Sequence, residues 1–249
     1  MNLKQRLKEG VPTRALYATA YRGYYAGKRL IAFLAVRSPR QLAKYFLARL
    51  QNRLFDWRNG VVTHPLIEPD RLRMESKTSQ LANRYQGVNE RLFLSILERH
   101  YQAEWQRYLF IDLGAGLGKA LILASRFPFR ALWGVEYSPL LCDQAVSNLQ
   151  TFQKRHADFP PWRIIHQNAA LFPFPDEPLL LFLYNPFHGE VFRDMITNLT
   201  DRLNRCAEPV FLLYIQPDNA QLIPEEHFRR VDGSSVWILY EGLASRASP

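Results

Sequence analysis

The segment Tyr108–Ala120, YLFIDLGAGLGKA, constrains this chain more than any other. An apolar run ends in an acid, Asp112, and a glycine-rich turn, Gly114-Ala115-Gly116-Leu117-Gly118, leads into a helical pattern. A second apolar run, ALWGVEY from Ala131, brings Glu136 to its end, 18 positions beyond Gly118. Strand, tight turn, helix and strand in that order make a βαβ unit, and an acid ending the second strand is the residue that reads ribose hydroxyls in nucleotide sites. The glycine spacing narrows the ligand. Dinucleotide-binding loops read G-x-G-x-x-G and set helix N–H groups on a pyrophosphate. Here the loop reads G-x-G-x-G and follows a carboxylate, which suits a cationic ligand and repels a pyrophosphate.

The chain has 249 residues, enough for one large α/β domain and an extension. With 47% hydrophobic and 22% charged residues it can bury a substantial core, which excludes global disorder. Its two cysteines, Cys142 and Cys206, are far apart, so neither a disulfide framework nor a metal site is indicated and a reducing cytoplasm fits. The charge is uneven. Residues 1–60 carry 13 Lys and Arg against two acids, a net +11, which leaves −2 for residues 61–249 out of the total of +9. Electrostatic partners therefore belong at the front of the chain. The longest apolar run there, Leu30 to Val36, is far short of the about 20 residues a membrane span needs. Arg14, Arg22 and Lys28 break any signal-peptide core, and the scarcity of serine argues against an organellar transit peptide.

Three regions are expected: a basic helical extension over 1–60, a connector and lead-in helix over 61–104, and a nucleotide-binding domain over 105–249. In the extension, a helix over 14–36 is followed by one from Pro39 to Trp57, capped by Ser38-Pro39. Leu42, Phe46, Leu50 and Leu54, widened by Ala43 and Leu47, form an apolar stripe, and Lys44, Arg49, Arg53 and Arg58 lie mostly off it. That stripe is expected to pack on the main domain or on another subunit, with a membrane surface or nucleic acid as the other candidate partners. A helix over 88–102 leads into strands at 108–113, 131–136, 162–167, 178–184, 209–215, 226–231 and 235–241. Helices are expected at 117–126, 139–154, 189–205 and, briefly, 218–222. The last connection, Asp232-Gly233-Ser234, is tight enough for an antiparallel hairpin. The expected fold is thus α/β, a doubly wound, mostly parallel seven-stranded sheet with a C-terminal hairpin, preceded by a helical extension.

From Tyr85 to Gly242 the chain resembles class I methyltransferases dependent on S-adenosyl-L-methionine, notably small bacterial ones, and more distantly the seven-strand type of histone-lysine methyltransferase. IDLGAGLGK is similar to the family's first motif. The resemblance implies that the backbone of Gly114, Ala115, Gly116 and Gly118 passes the methionyl part and that Asp112 faces its ammonium. GVEYSP is similar to the second motif, with Glu136 on the ribose hydroxyls and Tyr137 against the adenine. Asn168-Ala169 stands where the family has Asp-Ala, and Asn168 would present its carbonyl to the adenine amino group unless it only caps its loop. Asn185-Pro186-Phe187 stands where amine methyltransferases have (Asp/Asn)-Pro-Pro-aromatic. There, oxygens of Asn185 and Pro186 would hold the attacking nitrogen and the rings of Tyr184 and Phe187 would cover it. The second proline is missing, which opens the choice of acceptor. His188 is a candidate proton acceptor, and Tyr85 lies where related enzymes fold a segment over the cofactor. Lys119 is expected to be solvated, and nothing requires a metal.

The leading expectation is a cytoplasmic methyltransferase acting on a nitrogen, peripheral at a membrane if the extension docks there. An NAD(P)-dependent oxidoreductase would also use Glu136 but not this loop or Asn185-Pro186-Phe187. A non-catalytic binding protein of the same fold would work through residues 1–60. The methyl acceptor and the oligomeric state are open.

Overall fold

Seven strands form one sheet in the computed structural model, which describes residues 39–64, 87–185 and 187–244. They are β1 (Leu109–Leu113), β2 (Ala131–Glu136), β3 (Trp162–His166), β4 (Leu179–Tyr184), β5 (Val210–Ile215), β6 (Phe228–Gly233) and β7 (Trp237–Gly242). Their spatial order is β3-β2-β1-β4-β5-β7-β6. The first five run parallel, β7 is antiparallel to β5, and β6 closes the edge antiparallel to β7. The α/β, doubly wound layout expected from the alternating pattern is what forms. Five helices accompany the sheet among the described residues: α1 (Pro39–Asn59), α2 (Glu90–His100), α3 (Lys119–Ala124), α4 (Pro139–Gln153) and α5 (Gly189–Arg205).

The central strands are apolar throughout because both their faces are covered. Successive β1 residues point to opposite layers. Phe110 joins Phe93, Leu121, Leu149 and Phe182 on one side, and Leu109 and Ile111 join Phe192, Leu199 and Leu203 on the other. Helices α2, α3 and α4 thus cover one face and α5 the other. Local signals set several starts: Asn89 caps α2 by accepting from Leu92 N–H at 3.0 Å, and Ser138 caps α4 just ahead of Pro139. Helix α3 begins at Lys119, not at 117, because Gly118 is left-handed with φ 79°.

The C-terminal hairpin differs in detail from its sequence pattern. Strand β6 continues to Gly233 and the turn falls on residues 234–236, two positions beyond Asp232-Gly233-Ser234. An irregularity between Arg230 and Asp232 shifts the pairing, and Gly233 adopts φ 158°. A bulge adds a residue to one strand and moves the turn with it.

The chain divides into two compact units, 1–51 and 52–249. The first contributes only the helical residues 39–51 to the description, and the helix expected over 14–36 lies outside the described residues. In the second unit, the end of α1 buries the other face from the one expected. Phe55 is 1% exposed, whereas Leu54, on the predicted stripe, is 47% exposed. Hydrogen bonds choose that face. Buried Asp56 accepts from Thr63 N–H and Thr63 O–H at 2.8 and 2.6 Å and meets His64 Nδ1 at 2.5 Å, folding residues 61–64 back along the helix end. Among the described residues no helix is long and apolar enough to cross a membrane.

Two buried cations lie in this frame. Arg202 of α5 is wholly buried and donates to the carbonyls of Pro175, Glu177 and Glu208 at 3.3, 2.8 and 2.6 Å, tying the chain ahead of β4 and β5 to the helix. Replacing it with leucine strands three carbonyls in a dry layer, and Arg202→Leu should cost about 3 kcal/mol in urea unfolding. Lys119 corrects an expectation. Far from solvated, it is buried, donates to Asn52 Oδ1 at 2.7 Å and sits 4.8 Å from the centre of the Phe55 ring. Burial lowers its ammonium from 10.5 to about 8, against the opposing pull of Asp56 and Glu90. The unfolded chain then binds the extra proton between those values, so stability should rise with pH from about 8 to 10.5. Lys119→Met should remove that rise, worth roughly 3 kcal/mol, in unfolding midpoints across the range.

Candidate active site

All described residues singled out in the motifs sit along one edge of the sheet, at the C-terminal ends of the parallel strands. Across that edge run Asn168 beyond β3, Glu136 and Tyr137 at β2, Asp112 and the glycine turn at β1, and Asn185 beyond β4. The strand order reverses between β1 and β4, which run parallel, and this is the switch point at which open α/β sheets leave a crevice for ligands. Tyr85 and Pro186 lie outside the described residues.

The turn after β1 is shaped by backbone conformation. Gly114, Gly116 and Gly118 have φ of 84°, 53° and 79°, values that a side chain would strain. Gly114 N–H and Ala115 N–H both donate to the Val135 carbonyl, at 2.8 and 3.1 Å, which presses the turn onto β2. Gly134 makes that approach possible: a Cβ there would stand 2.8 Å from the Ala115 Cβ and from Ile164 Cδ1. The sequence reading passed over Gly134, although a glycine inside an otherwise apolar strand signals a close approach.

Glu136 is 8% exposed. Its two oxygens accept from Gly116 N–H at 2.9 Å and Ser138 N–H at 2.8 Å. Burial raises its carboxyl above the usual range, and those N–H bonds pull it back. The carboxylate is held rigidly, and lone pairs remain on each oxygen for further donors. Asp112, 4% exposed, is different. Among the described residues no hydrogen bond to its carboxylate is found, and burial, then the Glu136 charge, push its carboxyl well above the carboxylate range. A buried acid with no hydrogen bond among the described residues fits a cationic ligand group.

Around this pair, Asn168 accepts from Ala170 N–H at 3.0 Å, capping the short helical turn Ala169–Leu171. Its carbonyl therefore already serves the loop, with one lone pair beyond that bond. The Tyr137 carbonyl meets His166 Nε2 at 2.9 Å. Cys142 is buried beneath Glu136, its thiol pushed up to about 12 by burial, an inert apolar filler. Asn148, which no motif marked, ties the turn to the preceding segment: it accepts from Val62 N–H at 3.0 Å and donates to the carbonyls of Val62 and Leu117 at 2.9 Å each.

At the β4 end, Asn185 is left-handed with φ 40°. Its Nδ2 donates to Asp218 Oδ2 at 2.6 Å, and Tyr214 O–H lies 3.4 Å from its Oδ1. Asp218 and Tyr214 were not singled out in the sequence, because neither the end of β5 nor the loop after it carries a motif. Phe187 is buried, with its ring 6.4 Å from Phe192 in the layer beneath the sheet. The aromatic ring left half-exposed at this strand end is Tyr184. His188 precedes α5 and makes no capping bond with its side chain.

Strand order, reversed last strand and glycine turn together define the class I methyltransferase fold. Solved structures to which the chain is similar include a ribosomal protein L11 methylase from Lactobacillus delbrueckii subsp. bulgaricus, 15% identical with a TM-score of 0.45, covering 67% of this chain and 83% of that one. Another is the magnesium protoporphyrin IX methyltransferase of Synechocystis PCC 6803, whose structure holds bound S-adenosylmethionine. It is 15% identical with a TM-score of 0.43, covering 63% of this chain and 79% of that one. No protein-family model matches the chain, and neither does any curated protein sequence.

Because Asp112 binds its proton more tightly when folded, the cofactor-free protein is most stable with that carboxyl protonated and loses this stability as pH climbs through its raised value. Asp112→Asn should therefore raise the melting temperature of the cofactor-free protein at neutral pH and flatten its decline with rising pH, as differential scanning fluorimetry would show.

Proposed function

We propose that this protein is a methyltransferase dependent on S-adenosyl-L-methionine that acts on the nitrogen of a protein side chain or a small amine. The observation that carries this reading is the pair of buried acids at the tips of β1 and β2, one already bonded by backbone N–H groups and the other with no hydrogen bond among the described residues. Asp112 would hold the ammonium of the methionyl part, and the turn 114–118 would let that part lie close to the backbone. Glu136, pinned by Gly116 and Ser138, would accept from the ribose hydroxyls. Tyr137 and the Asn168-Ala169 segment would border the adenine.

When bound, the cofactor supplies an electrophilic methyl carbon on a sulfonium. The chain's own task is positioning and exclusion of water. Asn185 would hold the acceptor nitrogen through its side-chain carbonyl, and the Tyr184 ring would border the cation formed there. A dinucleotide is disfavoured at the same place, since Asp112 would face its pyrophosphate.

Calorimetric titration with S-adenosylmethionine and S-adenosylhomocysteine tests the reading. The wild-type protein should bind both in the micromolar range. Glu136→Ala, which removes two charge-assisted ribose contacts, should weaken binding by about 100-fold or more. Folded protein that binds neither, or that binds NADH with protection against melting instead, overturns it.

A further inference from the structure

The end of β5 and the loop after it bring hydrogen-bonding groups onto Asn185. Tyr184 and Ile215 are paired at the ends of β4 and β5, and the residue after each, Asn185 and Gln216, is left-handed with φ 40° and 51°. Two neighbouring non-glycine residues in that region are strained, and such strain is retained where the surroundings impose it. Here it turns both chain ends toward each other. Gln216 N–H is held by the Val236 carbonyl at 2.8 Å, and Asp218 N–H returns to the Gln216 carbonyl at 2.8 Å, setting the Asp218 carboxylate beside Asn185.

The donors and acceptors that the described residues bring to Asn185 favour one arrangement. Asn219 N–H and Nδ2 approach the Tyr214 hydroxyl oxygen at 3.3 and 3.4 Å. Tyr214 is wholly buried, and burial raises its hydroxyl above the usual range, so it keeps its proton. That proton is directed at Asn185 Oδ1, 3.4 Å away. An ionised carboxylate only accepts, so Asp218 Oδ2 at 2.6 Å must face the Asn185 NH2 group. The amide is thereby held in one of its two flips, and its carbonyl oxygen is the atom turned away from Asp218.

We infer that Asp218 and Tyr214 form a positioning pair that fixes the Asn185 carbonyl toward the methyl-acceptor subsite, and that this subsite takes a cationic amine. The inference deepens the proposed function and rests on it. A carbonyl oxygen fixed in this way accepts an N–H. The exposed carboxylate behind it favours a group that arrives as an ammonium and repels a phosphate-bearing nucleotide. Asp218 acts through Asn185 and is a positioning residue.

The probe is sinefungin, a cofactor analogue with an amine-bearing carbon in place of the methylsulfonium, titrated beside S-adenosylhomocysteine, which lacks that amine. Wild-type protein should bind sinefungin about tenfold tighter than S-adenosylhomocysteine. In Asp218→Asn the new side chain both donates and accepts, so the Asn185 flip is no longer dictated. That variant should lose the sinefungin preference and keep its S-adenosylhomocysteine affinity. Tyr214→Phe should reduce the preference in the same direction while leaving Asp218 in place. Melting curves confirm that each variant is folded. An unchanged preference in both variants, or an equal loss for both ligands, overturns this inference alone. Folded wild-type protein that binds neither ligand overturns the class reading together with it.

Discussion

The site depends on holding an acid where there is little water. Glu136 meets that condition with two backbone N–H groups, one from the glycine turn and one from the start of α4. A single side chain therefore joins β2, the turn after β1 and the next helix. The same bonds that lower the cost of burying the charge also aim it. Asp112, one strand over, has no such bonds among the described residues, and repulsion from Glu136 adds to the cost of its burial. A fold that tolerates this arrangement holds energy that a cationic ligand would release, and for that reason a pair of acids serves better as a binding feature than as a stabilising one.

Farther out, polar contacts decide what holds the turn. Asn148 binds both the Leu117 carbonyl and the backbone of Val62, and Lys119 reaches Asn52. Asp56 gathers Thr63 and His64. Asn148 and Lys119 find their partners in segments distant in sequence, Asp56 finds its own within eight residues, and the three together fasten residues 52–64 beside the first turn of α3. On the opposite layer Arg202 does the same for the chain leading into β4 and β5, through carbonyls alone. The sheet's apolar layers supply the bulk of the burial. These few cations and amides specify which segments lie against the ends of it.

Much of this was legible in the sequence, because it rests on local chemistry. Glycine spacing, an acid ending each of two apolar runs, Ser138-Pro139 before a helical pattern and Asn89 before another all act within a few residues of themselves. The parallel strands and the helices beside them fall close to where those signals put them, while α3 starts later and the last hairpin is displaced. Three features could not be read. Lys119 looked like a solvated first-turn lysine, because nothing near it in sequence announces Asn52 or Phe55. The stripe through Leu54 looked like the packing face of α1, because periodicity cannot see that Asp56 and Thr63 turn Phe55 inward. Phe187 looked like a cover for the acceptor, yet its ring lies among the residues of α5.

The sequence by itself determined the sheet, the glycine turn and the two acids, since strand alternation, positive-φ glycines and helix caps are properties of neighbouring residues. Tertiary structure decided the rest. It alone placed Asp218 and Tyr214 on Asn185, gave Asn148 and Lys119 their partners, and left Asp112 without a hydrogen bond among the described residues. A buried polar group is satisfied by whatever the fold brings within about 3 Å, and chains separated by tens or scores of residues carry no local record of that meeting.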